Sequence, residues 1–257
     1  MPPPTVDVQR GDWLVLAGEL APASVDLLYA DPPFNTGRRR ATPPAAGRSG
    51  RAVRTSYDDA WATTAAYIAW LRERLAATLP VLKPSACILL HVDWRTSHHV
   101  RLLLDDLLGP DRFVNHLVWS YALGGSGPRC FARKHDDIFF YCLDPRAYWF
   151  EPPRVPARSR LLAGQTKKST DVLEIPALNN MAKERTGYPT QKPLALLELL
   201  VGACCPPGGR VLDPCCGSGT TLVAAARLGR RGVGFDTSPA AVRTARARLS
   251  DALADSH

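Results

Sequence analysis

Two short segments of this 257-residue chain carry residue types that could do chemistry. The first is Asp31-Pro32-Pro33-Phe34. Consecutive prolines fix the backbone and remove two donors, so the carbonyls near Asp31 and Pro32 face outward with no amide competing for them. A carboxylate and a carbonyl held in this way accept both hydrogens of an NH2 group and turn its lone pair away from the ring, toward an electrophile. Phe34 offers a face on which the ring bearing that amine can stack, and a base inside a duplex reaches such a site only by rotating out of its stack. No metal is needed, and no general base is needed before transfer. The same four residues also suit a plain proline turn at a strand end, capped by Asp.

The second segment is Val-Leu-Asp-Pro-Cys-Cys-Gly-Ser-Gly-Thr-Thr, residues 211–221. It reads as a strand, a glycine turn and a helix start. Gly217 and Gly219 allow close approach of backbone to a ligand, and Asp236, which ends the next strand, is placed to accept ribose hydroxyls. Asp213 offers an anionic acceptor suited to an amino group. Leu222 stands where the third glycine of a dinucleotide fingerprint would fall, which argues against a nicotinamide cofactor. Cys215 and Cys216 have no histidine near them in sequence and read as small residues lining a turn.

Hydrophobic patterning supplies the elements that must hold these segments. Val25 to Ala30 is a buried strand feeding the proline turn, and Ile68, Leu71, Leu75, Leu79 and Leu82 recur at helical spacing. Ala86 to Val92 reads as a strand, Val100 to Leu107 as a helix, and Phe113 to Tyr121 and Asp137 to Cys142 as two more strands. Pro193 opens a helix, and the remainder alternates: strand 210–213, helix 220–228, strand 232–236, and a closing helix from Pro239. This is one α/β unit, residues 1–257, with a mostly parallel sheet and helices on both faces. His91 and Asp93 fall at a strand end near the site; the histidines otherwise lack ligand spacing.

Composition narrows the partners. Lys+Arg number 32 against 24 Asp+Glu, a net charge of +8 that favours a polyanion. No stretch is apolar for the ~20 residues a membrane span requires, and the start lacks a secretory layout, so a cytoplasmic protein is expected. The 7 cysteines include no CxxC, which suggests neither a disulfide framework nor a zinc site. Residues 37–56 are basic and poor in large apolar groups, predicting a mobile loop in which Arg38, Arg39, Arg40, Arg48, Arg51 and Arg54 bind phosphates. Arg129, Arg133, Lys134, Lys167 and Lys168 are further candidates. Residues 144–183 lack periodicity and read as an inserted target-recognition segment.

Together, DPPFNTG at residues 31–37 and DPCCGSGTT at residues 213–221 resemble the β-class of DNA amino-methyltransferases, in which the catalytic motif precedes the cofactor loop. The blocks GDWLVL from Gly11, LKPSACILLHVDW from Leu82, FARKHDDIFFYC from Phe131 and AKERTGYPTQKP from Ala182 extend the similarity along nearly the whole chain.

That resemblance implies a Rossmann-like methyltransferase fold, a seven-stranded sheet with one antiparallel strand, and S-adenosylmethionine as cofactor. It implies Asp213, Cys215, Gly217, Ser218, Gly219 and Thr220 along the methionine part, Asp236 at the ribose and Asp12 near the adenine. Thr190, Gln191 and Lys192 are implied to close over the methionine end, while Asp31, Pro32, Pro33 and Phe34 take the amine. The family usually has Tyr at Phe34 and Phe at Cys215. Asp at position 31 is commoner among adenine-N6 enzymes and Ser among cytosine-N4 enzymes, which favours adenine in double-stranded DNA. Cytosine-N4 methylation, methylation of RNA or a protein amide, and an inactive DNA-binding protein are the alternatives. Family members are often dimeric and some work beside a restriction nuclease; the sequence leaves both open.

Overall fold

The computed structural model describes residues 5–41, 56–121, 127–156, 164–179 and 181–254. In chain order the elements are β1 (Val6–Arg10), α1 (Trp13–Gly18), β2 (Val25–Ala30), β3 (Arg38–Ala41), β4 (Ser56–Asp59), α2 (Thr64–Thr78), β5 (Leu82–Val92), α3 (Ser97–Leu108) and β6 (Phe113–Ser120). There follow β7 (His135–Cys142), β8 (Arg154–Pro156), β9 (Thr166–Lys168), β10 (Val172–Glu174), α4 (Leu194–Cys204), β11 (Arg210–Asp213), α5 (Thr220–Arg227), β12 (Arg231–Asp236) and α6 (Pro239–Ala254).

One sheet runs β1-β12-β11-β2-β5-β7-β6-β10. Within it β7 is antiparallel to both its neighbours; the other pairings are parallel. Every residue of β2 is buried, which explains its unbroken apolar run: a central parallel strand is covered on both faces. On one face Trp13, Tyr67, Leu71 and Leu104 bring α1, α2 and α3 onto the sheet. On the other, Leu196, Leu197, Leu200 and Ala224 do the same for α4 and α5.

The strand order decides where the site must be. From β2 the chain moves one way along the sheet to β5, and from β11 it moves the other way to β12. β2 and β11 are hydrogen-bonded in parallel, with Leu28 opposite Leu212. Their carboxyl ends therefore lie side by side at the point where the connections diverge, the place where open α/β sheets form a crevice. The turn after β2 is Asp31 to Phe34, and the turn after β11 begins at Pro214.

Two expectations are corrected. The sheet has eight strands rather than seven, because β10 adds parallel to β6 at the edge. Three residues with only Leu173 buried give too short an alternation to stand out. Residues 37–56 are not loop throughout either: β3 and β4 pair antiparallel from Arg38 opposite Asp59 to Ala41 opposite Ser56. Cross-strand pairing satisfies their backbone groups without an apolar face, so hydropathy does not reveal it. Within residues 144–183, β8 and β9 form a second small ribbon.

Candidate active site

Both turns open onto one cavity of about 1030 Å³. Asp31, Pro32, Pro33 and Phe34 line one part of it; Asp213, Cys215, Gly217, Ser218, Thr220 and Asp236 line another. Asp12, Thr190, Gln191, Lys192 and Arg133 also reach it. Gly219 and Lys134 are not on its wall. Arg38, Arg39 and Arg40 lie on β3, and Arg48, Arg51 and Arg54 lie outside the described residues.

The glycine turn is built by hydrogen bonds at both its ends. The Gly217 N–H donates to Asp236 Oδ2 at 3.0 Å, the Ser238 N–H to Asp236 Oδ1 at 2.8 Å, and the Cys216 N–H to the Phe235 carbonyl at 2.9 Å. Asp236 is thus both wall and clamp, with lone pairs left for a guest. Gly217 has φ +50°, and a Cβ there would stand 3.1 Å from the Tyr188 ring. Gly219 is constrained by packing and, unlike Gly217, is not on the cavity wall. Its φ is +76°, and a Cβ would meet the Ala245 Cβ at 2.7 Å, so α5 can start against α6 only on glycine. The Arg248 guanidinium ties the same turn to α6 through the Ser218 carbonyl and Thr220 Oγ1.

Charge in the crevice is predominantly negative. Burial pushes Asp213 up to about 7, helped by Asp31 and Asp236 and opposed by hydrogen bonds from Thr221 and the Cys215 amide. Burial also raises Asp236. Carboxylates crowded this way favour a cationic guest, which lowers the cost of keeping them ionised. A sulfonium-bearing nucleoside with an amino group fits that donor and charge set, with Gly217 leaving room beside the turn. The Cys215 and Cys216 thiols are pushed well up by burial and by Asp213 and Asp236, so they are poor nucleophiles.

Some residues expected to touch cofactor are already engaged. Asp12 caps α1 through the Leu14 N–H, and both its oxygens take the Arg74 guanidinium at 3.1 Å, itself 4.4 Å over Trp70. Gln191 accepts from the Thr186 N–H and hydroxyl and donates to the Glu184 carbonyl, so it shapes its loop as well as lining the cavity. Thr190 sits at φ +63° with its hydroxyl on the Pro189 carbonyl. Lys192 Nζ is 2.6 Å from Asp31 Oδ2.

Sequence reasoning missed a polar chain beneath Phe34. The Tyr29 hydroxyl is 2.9 Å from His91 Nδ1, and His91 Nε2 is 3.3 Å from Asp136 Oδ2. The Tyr121 hydroxyl donates to Asp136 Oδ1 at 3.0 Å. Burial pushes Asp136 up, but hydrogen bonding and charge from His91, with Lys192 and Tyr121, prevail and hold it below the usual carboxylate range. An ionised carboxylate only accepts, so His91 Nε2 carries the proton. Trp119, with its indole N–H on the Ile175 carbonyl, and Tyr121 complete the wall around Asp136. The available signals were separate: His91 at a strand end in the LKPSACILLHVDW block and Asp136 in the FARKHDDIFFYC block, with nothing in the sequence to pair them. At the mouth, Arg133 lies 4.1 Å over Trp94.

Among the described residues no group of three or more His, Cys, Asp or Glu could hold a metal ion, and no helix is long and apolar enough to cross a membrane.

Residues 25–247 match the N6_N4_Mtase family model, described as DNA methylase. The chain is 27% identical to the type II methyltransferase M.HpaI of Haemophilus parainfluenzae over 88% of its length and 68% of that protein's. It is 25% identical to M.EcaI of Enterobacter cloacae, over 87% of this chain but only 64% of the relative, and 27% identical to M.ScaI of Streptomyces caespitosus, over 88% and 75%. The chain thus spans about two thirds to three quarters of these relatives. Among solved structures, an M1.HpyAVI complex with SAM superposes with TM-score 0.65 at 20% identity, over 95% of this chain and 99% of the other. The cytosine-N4-specific PvuII DNA methyltransferase gives TM-score 0.67 at 16% identity, over 98% and 94%. At these identities the superpositions establish the Rossmann-like fold.

Proposed function

Because the chain belongs to the DNA methylase family of N6 and N4 amino-methyltransferases, we propose that it transfers a methyl group from S-adenosylmethionine to the N6 amine of an adenine rotated out of double-stranded DNA. The observation that carries this reading is the single cavity joining the Asp31 turn to the glycine turn. When bound, S-adenosylmethionine supplies an electrophilic methyl group on a sulfonium.

The chain's own residues do the rest. Asp213 and Asp236 offer anionic acceptors on the cofactor side. Asp31 and the Pro32 carbonyl accept the amine hydrogens and orient the lone pair, and no amide at Pro33 competes for that carbonyl. Phe34 stacks on the base and helps offset its loss of stacking in the duplex. Asp31 then stands ready for the proton that the methylated amine must lose.

Asp31 at the first catalytic position supports adenine. The cytosine-N4 reading is kept alive by the likeness to a cytosine-N4-specific fold, which lies under the identity at which substrate carries over. Digesting methylated DNA to nucleosides and weighing the modified one separates them: N6-methyl-2′-deoxyadenosine is expected, and N4-methyl-2′-deoxycytidine would overturn the choice. The basic ribbon and residues 144–183 are proposed as the DNA-reading parts. The same reading places the reaction in the cytoplasm, with a second copy of the chain and a restriction nuclease as partners to be sought.

A further inference from the structure

One ammonium occupies the position that the target amine requires. Lys192 Nζ is 2.6 Å from Asp31 Oδ2 and 5.0 Å from the centroid of the Phe34 ring. An NH2 group bonded to Asp31, on a base stacked against Phe34, would have its hydrogens directed at the same carboxylate and its ring over the same face. The ammonium already holds Asp31 Oδ2 and lies over the ring on which the base must stack, so a base seats there only when the ammonium moves aside.

A second anion, Asp136, is bonded to His91, whose ring centroid is 5.8 Å from that of Phe34. Asp136 lines the same cavity, is buried, and has one oxygen set by His91 Nε2 and the other by the Tyr121 hydroxyl. Tyr29 fixes His91 in turn. These donors keep Asp136 ionised, and the Lys192 charge already acts on it. An ammonium leaving the half-buried Asp31 carboxylate thus has a second, buried carboxylate on the wall of the same cavity to pair with, where an unpaired charge would be costly.

We propose that Lys192 is a displaceable stand-in for the substrate amine, paired with Asp31 until a base enters and then transferred to Asp136. Asp136 is thereby a positioning residue that receives the lysine, and His91, Tyr121 and Tyr29 hold it for that purpose. This rests on the amino-methyltransferase reading above.

The test is a double-mutant cycle on single-turnover methyl transfer into DNA carrying the methylated site identified by sequencing. Asp136→Asn removes the destination, so the displaced ammonium competes with the base and the rate falls by about tenfold or more; adding Lys192→Met removes the competitor and recovers about threefold or more of that loss. Losses that multiply instead would overturn the displacement. A wild-type protein that methylates no DNA amine would overturn the underlying reading as well, which distinguishes the two failures. A wild-type crystal structure with that DNA and S-adenosylhomocysteine gives a readout independent of turnover and of variant folding. Lys192 Nζ is expected on Asp136, and Nζ still bonded to Asp31 beside a seated base overturns the proposal.

Discussion

The Asp59 carboxylate accepts the backbone N–H of Asn35 at 2.6 Å, while its other oxygen takes the Thr36 hydroxyl at 2.5 Å. Asn35 lies at φ +56°, directly after Phe34, and its own side chain accepts the Trp61 N–H at 3.0 Å. Asp59 is also the last residue of β4, so one buried carboxylate joins the basic ribbon to the exit of the catalytic turn.

Asp59→Ala leaves two donors without this partner, at a cost on the order of 1–3 kcal/mol each. The variant should unfold at lower temperature and lose turnover more than cofactor affinity. Calorimetry and cofactor titration check this, and equal losses of both functions would count against a link to the amine side.

Replacing Arg38, Arg39 and Arg40 together by Ala should weaken DNA binding and flatten its dependence on salt, since a protein that neutralises fewer phosphates releases fewer counterions on binding. Titrations of DNA at several salt concentrations read both effects. Unchanged affinity would remove the ribbon from the DNA-binding surface.

Gly219→Ala forces a side chain into left-handed backbone and against the Ala245 Cβ. With both atoms rigid, a cost of about 2–3 kcal/mol is expected. The fall in melting temperature should persist without cofactor, because the clash lies between helices.

Asp213 sets a pH dependence. Its folded pKa of about 7 exceeds the ordinary carboxylate value, so the folded state holds a proton that the unfolded state releases. The resulting contribution favours folding at acid pH and is lost as pH rises from the unfolded pKa toward 7. Binding of a cationic cofactor runs the other way: affinity should rise between about pH 6 and pH 8 as Asp213 ionises, with proton release on binding near the lower limit. Calorimetric titration in buffers of different ionisation enthalpy measures this, and Asp213→Asn should abolish it.

The fold was legible where one strand or helix carries its own signal. The unbroken apolar run of β2, the proline stop after it, and the strand-turn-helix from Arg210 all appear in the sequence because local spacing and burial agree there. The helix opened by Pro193 was legible for the same reason. β10 and the β3–β4 ribbon were not, since short edge strands owe their pairing to neighbours distant in sequence. The candidate site divides in the same way. Its two motifs were visible, but the path from Tyr29 through His91 to Asp136 spans three strands and exists only once they are side by side. The packing constraint on Gly219 was not legible, because it comes from α6.

The most direct test of the account follows labelled methyl groups from S-adenosylmethionine into mixed-sequence DNA, with wild type and Asp31→Ala side by side. The wild type should label DNA. Asp31→Ala should still bind cofactor while its turnover falls about a hundredfold to a thousandfold, as expected when an acceptor for the reacting group is removed. Turnover retained by Asp31→Ala would contradict the role of the proline-stiffened turn, and with it the reading of the shared cavity.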